Sequence, residues 1–269
     1  MPAGPSALLA SLLADLVAES AVLEAILAPL PAPRWQLPTP AAGWTIADQV
    51  SHLAYFDEAA AVSIADPERF RRDAAALAEA GDDFPDRIAA GHRHLSPGEL
   101  LSWFISARRS LVDGYAGCDP AVRLPWYGPA MSSASSITAR LMETWAHGQD
   151  IADALGLERP ATSRLRHVAH IGIRALPYSY TVNGLAVPTE PILVDLAAPG
   201  GGRWAWGPAD AADRVTGTAL DFCLAVTQRR HLSDTGLVVT GTTARQWMAI
   251  AQAFAGPAGP GRPPLAARR

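Results

Sequence analysis

The chain has 269 residues, 49% apolar and 18% charged, with a formal net charge of −4. That length allows one large or two modest domains, and mild acidity without a large basic tract argues against nucleic acid as a partner. All 22 basic residues are arginine, which excludes Schiff-base chemistry and a lysine general base. The two cysteines, Cys118 and Cys223, stand in unrelated contexts, so neither a disulfide framework nor a thiolate zinc cluster is supported. No run of eighteen apolar residues occurs, which argues against a membrane span. The opening Met1-Pro2-Ala3-Gly4-Pro5 lacks the basic segment of an export signal, so a cytoplasmic protein is expected.

From Ser6 to about Leu27, Leu8, Leu12, Leu16, Leu23 and Ile26 recur at helical spacing until Pro29, Pro31 and Pro33 end the helix. Thr45, with Asp48 three residues on, caps a second helix carrying His52, Leu53 and Phe56. Asp66-Pro67-Glu68 reads as another start, followed to Ala90 by short surface helices. Ser96-Pro97-Gly98-Glu99 has capping-box form and opens a helix to about Gly117. A turn-rich loop with Trp126 and Tyr127 leads into a helix from about Ser133 to Leu155, stopped by Gly156. A further helical stretch covers 164–176.

Beyond Pro177 the pattern changes. Residues 190–196 are strand-like, 198–202 turn, and Arg203-Trp204-Ala205-Trp206 alternates at period two. Val215–Val226 reads partly as a helix, 236–240 as a short strand and 243–255 as a helix with Trp247 on its apolar face. The expected organisation is a helical domain over 1–176, a small α+β domain over 177–256 and a Gly/Pro-rich disordered tail over 257–269.

Glu143 and His147 are four residues apart on the helix that follows the loop, so they project from one face. If the helix bearing His52 packs against it, two imidazoles and a carboxylate meet in a bundle core. Three protein ligands of this kind are the count of a catalytic zinc site. An isolated Glu-x-x-x-His pair is otherwise a solvated ion pair, and His52 alone reads equally as a core histidine bonded to Asp48. Asp48 and Asp150, one turn from the two histidines, either accept the second imidazole N–H and orient the rings from outside the ligand shell or are solvent-facing helix carboxylates. Trp126 and Tyr127 are candidate pocket walls and cofactor contacts; the alternative is that they plug the open end of the bundle. His92 and His94 are read as surface residues, and His167 with His170 as a weaker second pair. Arg229 and Arg230 form either a solvated cluster or a fork for a carboxylate.

The stretches Gly43-Trp44-Thr45 through Ser51-His52-Leu53 and Met142 through Asp150 resemble the DinB-like bundle of mycothiol-dependent maleylpyruvate isomerases and their actinobacterial relatives. The segments Trp204–Pro208, Ala225–Arg230 and Gly241–Trp247 are similar to the small C-terminal domain of that group. The resemblance spans nearly the whole chain and is nearest to an uncharacterised metal-binding branch. It implies an α+β fold: a DinB-like four-helix bundle followed by a small α/β domain. It further implies a divalent metal, usually zinc, on His52, Glu143 and His147, and the thiol cofactor mycothiol bound between the domains. A C-terminal arginine assists catalysis in the isomerases; Arg229 is the nearest match and Arg230 the alternative.

Three functions remain open on the sequence. The first is a metal- and thiol-dependent isomerase or S-transferase acting on a small anionic or conjugated substrate. The second is a thiol-independent metal hydrolase, lyase or cyclase of secondary metabolism. The third is a non-catalytic metal-containing protein that binds a small ligand. A monomer and a homodimer are equally compatible with the sequence.

Overall fold

The structure, a computed structural model, describes residues 5–79, 81–119 and 122–268, and divides into two compact units, Met1–Arg159 and Pro160–Arg269. Together they form an α+β protein dominated by helices. The division falls earlier than the boundary drawn at residue 176 from the sequence, because the helix over 165–174 packs within the second unit.

The first unit comprises α1 (Pro5–Leu27), α2 (Ile46–Ala65), α3 (Pro67–Glu79), α4 (Phe84–Gly91), α5 (Pro97–Ala116), the two-residue strands β1 (Arg123–Leu124) and β2 (Met131–Ser132), and α6 (Ser133–Leu155). Four long helices make the bundle: α2 packs on α5 and α6, and α1 packs on the same two. Leu23, Leu27, Trp35, Ile46, Val50, Leu53, Leu100, Phe104 and Ile151 fill one end of its core. Each such large apolar side chain contributes about 1.5–3 kcal/mol when fully buried. By length and composition α1 could cross a membrane, yet Leu9, Leu12, Leu16, Leu23 and Leu27 are buried in the bundle.

Local chemistry sets where the helices begin and end. Thr45 and Asp48 close a reciprocal capping box on α2, and Ser96 and Glu99 do the same on α5. Ser132 caps α6, and Gly156 stops it in the left-handed conformation at φ 66°, which costs glycine nothing.

The second unit holds α7 (Leu165–Arg174), α8 (Leu176–Val182), β3 (Ile192–Ala197), β4 (Arg203–Trp206), β5 (Asp213–Thr218), α9 (Ala219–Val226), β6 (Val238–Thr240) and α10 (Thr242–Ile250). The sheet order is β4-β3-β5-β6; β3 and β5 run parallel, and the outer pairings are antiparallel. The segment 215–226, read as partly helical, divides at Thr218. Residues before it belong to β5, and Thr218 caps α9 by accepting from Asp221 N–H. Val215 is the one buried residue of β5, so periodicity had little to register. Gly241, at φ 89°, leaves room for the Asp213 carboxylate, which accepts the Ala244 N–H at 2.8 Å and anchors the start of α10. Gly172 lets α7 approach α9, since a Cβ there would lie 2.6 Å from Val226 Cγ2.

Residues 257–268, expected as a disordered tail, carry specific tethers. The Arg262 guanidinium donates to the Arg229 carbonyl at 2.7 Å, and the Leu265 N–H donates to Asp234 at 2.9 Å.

A candidate metal centre in the helical bundle

His52 lies in the second turn of α2, and Glu143 and His147 share one face of α6. The packing of α2 on α6 brings the three together. Glu143 Oε2 lies 3.1 Å from His147 Nε2 and 3.8 Å from His52 Nε2. The two imidazole rings are 4.4 Å apart between centroids. One ligand atom from each residue fits within a 4.8 Å span. Among the described residues no other trio of His, Cys, Asp or Glu does so.

The electrostatics suit a cation. Burial, reinforced by the neighbouring His147, lowers the His52 pKa to about 4. Burial pushes the Glu143 carboxyl up, but the facing His147 and His52 imidazoles outweigh it and hold the group well below the usual carboxylate range. At neutral pH the trio therefore presents an ionised carboxylate beside an imidazole kept neutral at position 52. Two nitrogens and one oxygen form a donor set that fits zinc and its neighbours in the first transition row. The residues present thus fit the metal that the sequence resemblance implies.

The outer surroundings differ from those expected. The Asp48 carboxylate turns back to the α2 N-terminus, accepting from Thr45 N–H and Oγ–H at 2.8 Å each and from Arg93 at 2.9 and 3.0 Å. A capping box needs its third-position side chain directed at the helix start, which removes Asp48 from His52. The partner of His147 Nδ1 is instead the amide oxygen of Gln49, one turn before His52. His52 Nδ1 is buried with no hydrogen-bond partner.

Aromatic rings wall the site. Trp44 lies nearly parallel to the His147 ring at 5.9 Å and tilts over His52 at 5.1 Å. Its indole N–H donates to Asp86 on α4 at 2.6 Å, which holds it in place. Phe56 packs on His52 at 4.5 Å, and Tyr127 meets Phe56 edge-on at 5.5 Å. Trp126 stacks on Phe70 at 5.7 Å and also touches Phe56. The two loop aromatics are therefore one ring removed from His52. Burial and the Tyr55 hydroxyl raise the Tyr127 pKa, so its phenol stays protonated.

A polar network behind the ligands latches the bundle, and nothing local in the sequence announced it. Asp57 on α2 is fully buried and accepts from Arg108 of α5 at 2.7 Å and from Arg140 of α6 at 2.9 Å. Arg108 also donates to Ser20 of α1 at 2.6 Å and to Thr144 of α6 at 2.9 Å. Arg140 donates to the Leu53 carbonyl, next to His52, at 3.3 Å. Through its two arginines Asp57 thus links all four bundle helices, including the ligand-bearing pair.

The remaining candidates are held by other partners within their own units. His92 Nδ1 bonds the Ile88 carbonyl, and the ring packs on Trp103. His94 Nδ1 bonds the Gly91 carbonyl. His167 and His170 sit on α7 of the second unit, as does Cys223 on α9, whose buried thiol has a raised pKa. Arg229 follows Gln228, which ends α9 with φ 58°, and its guanidinium donates to the Thr227 carbonyl at 2.8 Å. Arg230 donates to the Arg229 carbonyl at 2.7 Å.

Comparison with known proteins agrees with this architecture. Residues 16–152 match the family described as the mycothiol maleylpyruvate isomerase N-terminal domain, and residues 188–241 match one described as wyosine base formation. An uncharacterized protein from each of two strains of Mycobacterium tuberculosis is 50% identical over 250 residues, covering 93% of this chain and 97% of the relative. Two crystal structures of the mycothiol-dependent maleylpyruvate isomerase, one of them a mutant, superpose with a TM-score of 0.60 at 16% identity. They cover 88% of this chain and 93% of their own, a likeness of fold.

Proposed function

The chain belongs to the family of the mycothiol maleylpyruvate isomerase N-terminal domain, and from that premise we propose that it is a divalent-metal-dependent enzyme using mycothiol for isomerisation or S-transfer on a small anionic or conjugated substrate. The observation that carries this reading is the convergence of His52, Glu143 and His147 within 4.8 Å on two packed helices.

A divalent ion held by these residues would supply the positive charge that keeps a bound thiol ionised near neutral pH. The protein's part is to hold and shield that position. Three protein ligands match the count of catalytic zinc sites, whereas structural sites close with four. Trp44 packs on both imidazoles and Phe56 on that of His52, which limits their exposure to water. Trp126 and Tyr127 are proposed to contact the cofactor, and the Tyr127 phenol is suited to donate a hydrogen bond to an anion. Neither cysteine belongs to the trio, and the Cys223 thiol is buried with a raised pKa. An external thiol is therefore the fitting source of sulfur chemistry. Arg229 is proposed to bind an anionic group of the substrate.

Elemental analysis of the purified protein combined with a mycothiol titration tests this reading. The expected result is about one zinc or related ion per chain, with thiol affinity lost in Glu143→Ala. Turnover of substrate in the complete absence of thiol would replace it with a hydrolytic function.

A further inference from the structure

A chain of hydrogen bonds runs from His147 to the loop before α2. The Trp44 carbonyl accepts the Thr39 hydroxyl at 2.9 Å and also the Thr39 N–H at 2.8 Å. Having given its proton to Trp44, Thr39 Oγ1 stands as an acceptor 2.8 Å from Gln49 Nε2. Gln49 is fully buried, so no solvent competes for its amide. With the amide nitrogen committed to Thr39, the amide oxygen faces His147 Nδ1.

With the amide oriented this way, the proton position on a neutral His147 ring follows. An amide oxygen has no proton to give, so Nδ1 must carry one. When the ring is neutral it has a single N–H, and His147 Nε2 then bears a lone pair. That nitrogen lies 3.1 Å from Glu143 Oε2, another electron-rich atom. Two such atoms at that separation in a largely buried place repel each other unless a metal ion or a proton lies between them.

We infer that Thr39 and Gln49 form a relay that fixes the His147 tautomer, turning the Nε2 lone pair toward the metal position, and that both are positioning residues of the centre. The inference rests on the metal-dependent reading of the same trio. The competing arrangement reverses every link: the Thr39 hydroxyl turns to the Gln49 oxygen, the amide N–H donates to Nδ1, and Nε2–H donates to Glu143. In that state His147 offers no lone pair to a cation. The Trp44 carbonyl is what favours the first arrangement, since it draws the Thr39 proton away from Gln49. The relay acts on one ligand only, because His52 Nδ1 has no partner.

The test is zinc affinity by competition with a chelator, together with imidazole nitrogen NMR of the zinc-free protein at a pH where the ring is neutral. Gln49→Leu should bind zinc about 10–100-fold more weakly, the usual cost of losing an outer partner of a ligating histidine. Gln49→Glu keeps an acceptor on Nδ1 and should recover the affinity. Thr39→Val should weaken binding and raise the Nε2–H tautomer of His147 in the NMR spectrum, whereas Thr39→Ser should match wild type in both. Zinc binding by Gln49→Leu within twofold of wild type, or an unchanged tautomer in Thr39→Val, would overturn the relay. A wild-type protein that binds no zinc would overturn the metal reading instead, and the NMR measurement would still decide the relay.

Discussion

Asp57→Asn is the most informative perturbation of the fold, because it removes one charge and almost no volume. In the wild type the carboxylate answers two guanidiniums, and Asp57, Arg108 and Arg140 are all at least 95% buried as side chains. The amide would leave both cations in the core without a counter-charge. Breaking a buried pair from one side costs about 3–5 kcal/mol, since the stranded charge keeps its desolvation penalty. For a unit of this size that corresponds to a fall in melting temperature on the order of 10 °C. A second variant separates charge from shape: Asp57→Leu combined with Arg108→Met and Arg140→Met removes the whole ionic group. Ser20 still bonds the Leu16 carbonyl and Thr144 the Arg140 carbonyl, so neither hydroxyl is stranded. The triple variant should therefore recover most of the lost stability. Thermal melting by circular dichroism is the assay. Asp57→Asn melting within about 2 °C of wild type, or a triple variant less stable than the single one, would refute the argument.

Further expectations concern the ligands, the substrate and pH. His52→Ala and His147→Ala should each bring metal content well below one ion per chain, whereas His92→Ala should leave it at the wild-type level; equal content in all three would remove the site. Arg229→Ala should retain the metal and lose substrate affinity, read as a raised KM with unchanged metal stoichiometry. Burial opposes ionisation of Asp48, but bonds from Arg93 and Thr45 prevail and hold its carboxyl below the ordinary Asp value. A depressed folded-state pKa stabilises the fold above the unfolded value, about 3.9, and that contribution disappears as the pH falls through the folded one. Arg93→Met should therefore weaken stability above about pH 4 and narrow the difference from wild type in more acid solution, which urea titrations at several pH values would show.

The parts of this molecule that could be read from the sequence are those written in short stretches of chain. The capping pairs Thr45–Asp48 and Ser96–Glu99 and the terminating Gly156 mark three bundle helices almost to the residue. Glu143 and His147 are visible as a pair because helical geometry alone places them together. His52 needed the packing of α2 on α6, which no local pattern encodes. The same limit hid the polar machinery: Gln49 meets His147 across 98 residues, and Asp57 meets Arg140 across 83. Asp48 misled because one carboxylate at the third helical position can serve a cap or a neighbouring imidazole, and the cap won. Strand β5 was missed for a different reason. Its pairing with β3 is made by backbone groups, and its side chains carry too little apolar alternation to show it.

The most direct test of the central claim is a mycothiol titration of cobalt-substituted protein, followed in the near-ultraviolet. If His52, Glu143 and His147 hold the ion and the thiol binds to it, a sulfur-to-cobalt charge-transfer band should grow to saturation at about one thiol per metal, and Glu143→Ala and His147→Ala should not produce it. A fully cobalt-loaded protein whose spectrum is unchanged by mycothiol, or variants that give the same band as wild type, would contradict the account.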